Sequence, residues 1–145
     1  MTTTSPLEVI QQVFEAESAE AARDLFHEDV VASSWEMPSV EFTGFSAINE
    51  EFFLPSEAAF TDVEFDMQHM AEAGSLVIVD AIFRGVFSAD YHGIPAHGKA
   101  FAWAMRDIFQ VEQGTISHMW FGSDTLEVAR QLGVIDKSTR LFPED

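Results

Sequence analysis

Apolar residues recur at three- and four-residue intervals in the first part of the chain and at two-residue intervals in the second. Leu7, Ile10, Val13 and Phe14 form the stripe of an amphipathic helix. Ser5, Pro6 and Glu8 supply its start, with Ser5 as N-cap and Pro6 at the first helical position. Ser18 opens a second short helix through Ala21, Ala22, Leu25 and Phe26, and Val30–Glu36 reads as a strand stopped by Pro38. Gly44 and Ser46 mark a turn and cap before a third helix, in which Ile48, Phe52 and Phe53 keep helical spacing to about Ala59. From there the period is two. Val63–Ala73, Leu76–Phe87, Lys99–Val111 and the stretch from Thr115 through Trp120 read as strands, with turns at Glu72–Ser75 and Glu112–Gly114 and a loop over Ser88–Gly98. A short helix opened by Asp124, Leu126 and Glu127 ends at Gly133.

Strands joined by such short turns pair antiparallel, and helices gathered ahead of them cover one face of the sheet. The order therefore predicts an α+β fold, an antiparallel sheet with the N-terminal helices on one face, which a strong curvature of the sheet would enclose. One domain over residues 1–145 is expected, with a core over about 6–135 and a polar tail over 136–145. Alternation assigns the faces. Phe101, Trp103, Met105, Asp107 and Phe109 share one face of their strand, as do Val77, Val79, Ala81, Phe83, Gly85 and Phe87 of theirs. The bulky faces are predicted to turn inward. The small face with Ala100, Ala102 and Ala104 could take a second sheet closely, so a homodimer through the back of the sheet is expected. In the last strand the same alternation places Ile116, His118 and Trp120 together.

Composition narrows the function. The 145 residues include 25 acids against 7 Lys and Arg, a formal net charge of −18. No basic footprint for nucleic acid exists, and an anionic membrane surface would repel the protein. No apolar run is long enough to span a bilayer, the first residues lack signal-peptide regions, and a soluble cytoplasmic protein is expected. Without Cys there is no thiol or disulfide chemistry. The dispersed acids and scarce lysines resemble the surfaces of proteins from salt-loving organisms, where salt screens self-repulsion.

Three polar side chains are candidates for chemistry. Asp124 stands at a strand-to-helix junction four residues after Trp120, and Asp124-Thr125-Leu126-Glu127 also fits a capping box. Capping and the helix dipole favour its charged form, whereas a proton shuttle in an apolar pocket needs the neutral form within reach. Asp107 lies on the aromatic face of its strand, where a buried acid must be paired or protonated; otherwise it sits at an open rim or is a satisfied structural acid. His118 could orient a ligand or pair with an acid, or be a partly exposed sheet histidine. Trp35, Met37, Phe53, Phe83, Phe87, Trp103, Met105 and Trp120 would line a cavity if the space inside the curved sheet is open and form core if it is filled. His92 and His97, five residues apart, do not have metal-ligand spacing, and no metal is expected.

The segments LFHEDVV (25–31), Pro38 with Gly44, FTDVEF (60–65), GIPAHGK (93–99), QGTISHMW (113–120), Asp124 and QLG (131–133) stand in an order that resembles the SnoaL-like polyketide cyclases, also called ester cyclases, of the nuclear-transport-factor-2-like (NTF2-like) fold. The resemblance implies a cone-shaped sheet around helices. It also implies cofactor-free intramolecular aldol closure of a polyketide ester, with Asp124 at the position of the general acid/base. Two positions depart from the pattern: Ile82-Phe83-Arg84-Gly85 replaces a Thr-His-x-Gly stretch, and His97 replaces a Thr. The expected partner is a small, hydrophobic, oxygenated molecule, with Asp124 moving a proton next to a carbonyl and His118 and Asp107 assisting. The alternative is a non-catalytic binding or interaction module in which Asp124 only caps its helix. The acidic surface carries its own test. The melting temperature should climb steeply as salt is raised from millimolar to molar, and a flat profile would contradict the salt-loving reading.

Overall fold

The computed structural model describes residues 4–35 and 37–142. Glu36, where the first strand was expected to end, and both extreme termini lie outside the described residues. Helix α1 (Pro6–Glu15) starts as its sequence demands, with Ser5 Oγ accepting the Glu8 N–H at 3.2 Å, and it buries Val9 and Ile10. The segment after Ser18 forms a 3₁₀ turn over Glu20–Leu25. Strands β1 (Phe26–Ser34) and β2 (Met37–Thr43) follow. Helix α2 (Phe45–Ile48), a π turn (Asn49–Phe53) and helix α3 (Leu54–Ala59) run on from one another. Pro55 explains the widening: it has no N–H for the carbonyl four residues back, and the Leu54 N–H reaches Asn49 instead. Strands β3 (Phe60–Ala73), β4 (Leu76–Phe87), β5 (Ala100–Glu112) and β6 (Thr115–Phe121) then lead to helix α4 (Thr125–Leu132).

The six strands form one curved, unclosed sheet in the order β2-β1-β6-β5-β4-β3. All neighbours are antiparallel except β1 and β6, which run parallel. Strand β2 was not expected from sequence, because Pro38 reads as a stop. It is an edge strand, where a residue without an N–H is tolerated. The α1 helix packs against β3, β4 and β5 and closes the concave side.

The inward parity of β4 and β5 matches the alternation. Val77, Val79, Ala81, Phe83 and Phe87 are buried, and so are Phe101, Trp103, Met105, Asp107 and Phe109. The outer face carries Ala100, Ala102, Ile78, the ion pairs of Arg84 with Asp66 and of Arg106 with Asp80, and a hydrogen bond between His69 and Asp80. In β6 the expected alternation breaks. Gln110 pairs with His118 but Val111 pairs with Ile116, so Ser117 is an extra residue in a β-bulge. Ile116 and Met119 are therefore both buried, and His118 and Trp120 share the opposite, outer face. A single added residue reverses every side chain beyond it.

Candidate active site

The concave side encloses a cavity of about 840 Å³, within the size range of small-molecule sites. Its walls are aromatic because the bulky parity of three strands converges there. Phe65, Phe83 and Trp103 come from the sheet, Phe14 from α1, Phe52 and Phe53 from the π turn, and Tyr91 from the loop after β4. Phe60, at the start of β3, is the hub of this wall. Its ring lies 4.7 Å from Phe101, 5.1 Å from Tyr91 and 5.8 Å from both Phe83 and Trp103.

Asp107 opens into this cavity and is only 7% exposed. The Gly122 N–H donates to its Oδ1 at 3.1 Å. No Lys, Arg or His among the described residues forms an ion pair with it. Burial pushes the carboxyl up to about 7, and the single hydrogen bond from Gly122 opposes that shift only in part. The donor depends on a glycine. A Cβ on Gly122 would stand 2.6 Å from the Arg106 carbonyl oxygen, because β5 continues to pair past the end of β6, with the Arg106 N–H on the Gly122 carbonyl at 2.8 Å.

Asp124 is elsewhere. It is the N-cap of α4, its Oδ1 accepting the Glu127 N–H at 3.3 Å, and it does not line the large cavity. Instead it borders a cleft of about 220 Å³ with Trp35, Ala104 and Arg106 on the outer side of the same wall. Gly122 and Ser123 separate the two spaces and touch both. His118 is also outside the cavity. Its Nε2 lies 3.1 Å from Ser33 Oγ and its ring stacks on Trp120 at 3.8 Å. Burial lowers its pKa, against the opposing charge of Glu41. The structure thus does not bring Asp124, His118 and Asp107 together.

Of the expected wall residues, Met37, Phe53, Phe83, Trp103 and Met105 border the cavity. Trp35, Trp120 and Phe87 do not. Trp35 is 67% exposed beyond the end of β1, Trp120 was turned outward by the bulge, and Phe87 is sealed behind Phe60 and His97. His97 joins the loop to α4, with its Nε2 2.7 Å from the Gln131 carbonyl oxygen. Sequence reasoning missed Ser34, Phe60, Phe65 and Tyr91. The parity of Val30 and Ala32 on β1 could have shown Ser34 facing inward, and FTDVEF carried both phenylalanines. Among the described residues no three His, Cys, Asp or Glu side chains cluster so as to hold a metal ion.

Comparison with known proteins gives this arrangement a lineage. The family model described as SnoaL-like polyketide cyclase matches residues 6–132. A candidate SnoaL-like polyketide cyclase from Jannaschia sp. CCS1 superposes with a TM-score of 0.79 at 15% identity, covering 90% of this chain and 92% of that one. IdmH from Streptomyces antibioticus, a candidate polyketide cyclase, gives 0.71 at 25% identity, with 90% and 99% covered. An NTF2-like protein from Burkholderia thailandensis gives 0.71 at 18% identity, with 89% and 98% covered. The fold is thus NTF2-like. No curated protein matches the chain.

The raised Asp107 carries a prediction for stability. The unfolded chain ionises this carboxyl near the model value of about 3.9, while the folded chain holds the proton to about 7. Between those values the native state binds more protons than the unfolded state, so this group makes stability fall as pH rises, and the loss is complete above about 7. Urea unfolding of Asp107→Asn, compared with the unmutated protein from acid to neutral pH, should show the variant gaining relative stability across that window, by a few kcal/mol in order of magnitude. A pH-independent difference would contradict the burial argument.

Proposed function

The chain belongs to the SnoaL-like polyketide cyclase family, and from that membership we propose that it binds a small, hydrophobic, oxygenated molecule and moves a proton at a carbon next to a carbonyl. The observation that carries this reading is a buried carboxyl, poised near neutrality, facing an open apolar cavity. Such a group is both an available base and an available acid at neutral pH, which is what proton transfer in both directions needs. The role first expected of Asp124 passes in this reading to Asp107. Asp124 supports the site at a distance by capping α4, whose Val128 borders the cavity.

In the leading case, intramolecular aldol closure, the Asp107 carboxylate takes the proton from the carbon beside one carbonyl. The electron pair left behind forms the new bond to the carbon of a second carbonyl. The oxygen released from that double bond takes up a proton, which the Asp107 acid can return. The aromatic walls hold the chain folded and exclude water that would compete for the proton. Isomerisation in the same pocket would use the same first step.

Proton abstraction can be read without the natural substrate. The protein should accelerate exchange of the acidic ring protons of 2-tetralone into heavy water, followed by proton NMR, with a rate that rises with pH through about 7 as Asp107 ionises. Asp107→Asn should lose at least about a hundredfold, and Asp124→Asn should retain most of the rate. Loss in Asp124→Asn together with full activity in Asp107→Asn would return the proton transfer to Asp124.

A further inference from the structure

Among the described residues no Lys or Arg borders the cavity, and His92 is the one lining side chain that can carry a positive charge. We propose that His92 is the specificity-determining contact of this site, its imidazole receiving a phenolic or enolic hydroxyl at the far end of an extended ketone while the reacting end sits at Asp107. The inference rests on the acid/base reading above, which places the reacting carbon at Asp107. It adds the length of the substrate and the chemistry of its other end.

Ring contacts fix where His92 stands. The Tyr91 ring lies 5.1 Å from Phe60, whose ring in turn lies 4.7 Å from Phe101 and 5.8 Å from Trp103. Tyr91 and His92, with their rings 4.5 Å apart, therefore stand over the Phe101–Trp103 end of β5. Asp107 follows Trp103 by four residues on the same strand and the same face, roughly 13 Å away at the rise of an extended chain. Trp103 and Met105 border the cavity along that span. A molecule of several linked rings, laid against this wall, reaches from the carboxyl at one end to the imidazole at the other. Neither ring nitrogen of His92 has a hydrogen-bond partner among the described residues.

The loop that carries His92 is held at many points. The Ser88 and Ala89 N–H groups both donate to the Ala59 carbonyl oxygen, at 2.8 and 3.1 Å. Asp90 Oδ1 accepts the Ala96 N–H at 3.1 Å, and the Gly98 N–H donates to the Phe87 carbonyl oxygen at 2.8 Å. At the tip, Tyr91 and Ile94 exchange both backbone hydrogen bonds around His92 and Gly93, at 3.0 and 2.8 Å. Both central residues have positive φ, 46° and 79°, as a two-residue hairpin turn requires. Asn or Gly makes that bend most readily, and histidine there sets an imidazole at the cavity rim on a fixed backbone. Little order is lost when a ligand engages a group held in this way. The other charged groups on the rim are the carboxylates of Glu17, Glu51 and Glu57, which disfavour an ionised carboxylate on the ligand. A neutral hydroxyl meets no such repulsion, and an unprotonated ring nitrogen of His92 accepts its hydrogen bond.

The test compares 6-(4-hydroxyphenyl)-2-tetralone with 6-phenyl-2-tetralone, which differ only in the far hydroxyl. Each ketone is followed by proton exchange into heavy water and by calorimetric binding. His92→Gly removes the imidazole and keeps the turn, and His92→Asn keeps the turn with a shorter side chain. Both variants should raise the Michaelis and dissociation constants of the hydroxyphenyl compound about threefold to tenfold. The maximal rate and the pH midpoint should stay near those of the unmutated protein, and the phenyl compound should be unaffected. Equal weakening of the two compounds would overturn the proposal, because it would report a change in the shape of the mouth and not a lost contact. Unchanged constants in both variants would overturn it as well, and so would a failure of the hydroxyphenyl compound to bind the unmutated protein. If the unmutated protein exchanges no proton from either ketone while the variants weaken binding of the hydroxyphenyl compound alone, the contact stands and the acid/base reading fails.

Discussion

The Asp107 carboxyl is taken out of water with one hydrogen bond from the described residues to replace its hydration, and the shape of the site follows from that. The two-residue period of β5 puts this acid on the same face as Phe101, Trp103, Met105 and Phe109. That face must turn inward to bury its aromatic area, so the acid turns inward with it. A carboxylate there would be poorly hydrated and has no counter-ion among the described residues, and the neutral acid is retained until about pH 7. The Gly122 N–H keeps the group oriented without fully stabilising its charge. An arginine in place of that N–H would favour the ionised carboxylate and lower its pKa instead.

The acids at 107 and 124 show how environment divides two identical functional groups. Asp124 stands at a helix N-terminus, exposed, with a backbone N–H on its carboxyl. That arrangement fixes α4 and leaves the carboxyl in water. Asp107 stands on the other side of a thin wall, at the base of an aromatic chamber. Gly122 and Ser123 form that wall, and the close approach of β5 at Gly122 makes it thin enough for one backbone N–H to serve the chamber. The capping helix and the chamber are therefore coupled through two residues of backbone rather than through a shared side-chain cluster.

Most of the sheet was legible in the sequence because alternation is strict where a strand is long and one face is aromatic. Phe83, Trp103 and Asp107 could be placed on the inner face from spacing alone, and the capping box of α4 could be read from Asp124 to Glu127. The failures have local causes. The bulge at Ser117 leaves no mark in the sequence, yet it moves His118 and Trp120 to the outer face. Pro38 reads as a terminator and sits instead in an edge strand. Ser34 carries no motif at all; only its parity with Val30 and Ala32 places it in the cavity. The resemblance to the SnoaL-like family pointed to the correct fold and drew attention to Asp124, while the physical argument about a buried acid on an aromatic strand pointed to Asp107.

The account depends most on the ionisation of that one group. Carboxyl-carbon NMR of protein labelled at aspartate, assigned through Asp107→Asn, would follow it directly. The account predicts a midpoint near 7 for Asp107. A midpoint near the ordinary aspartate value of about 3.9 would show a hydrated or paired carboxylate and contradict the proposal that it carries the proton.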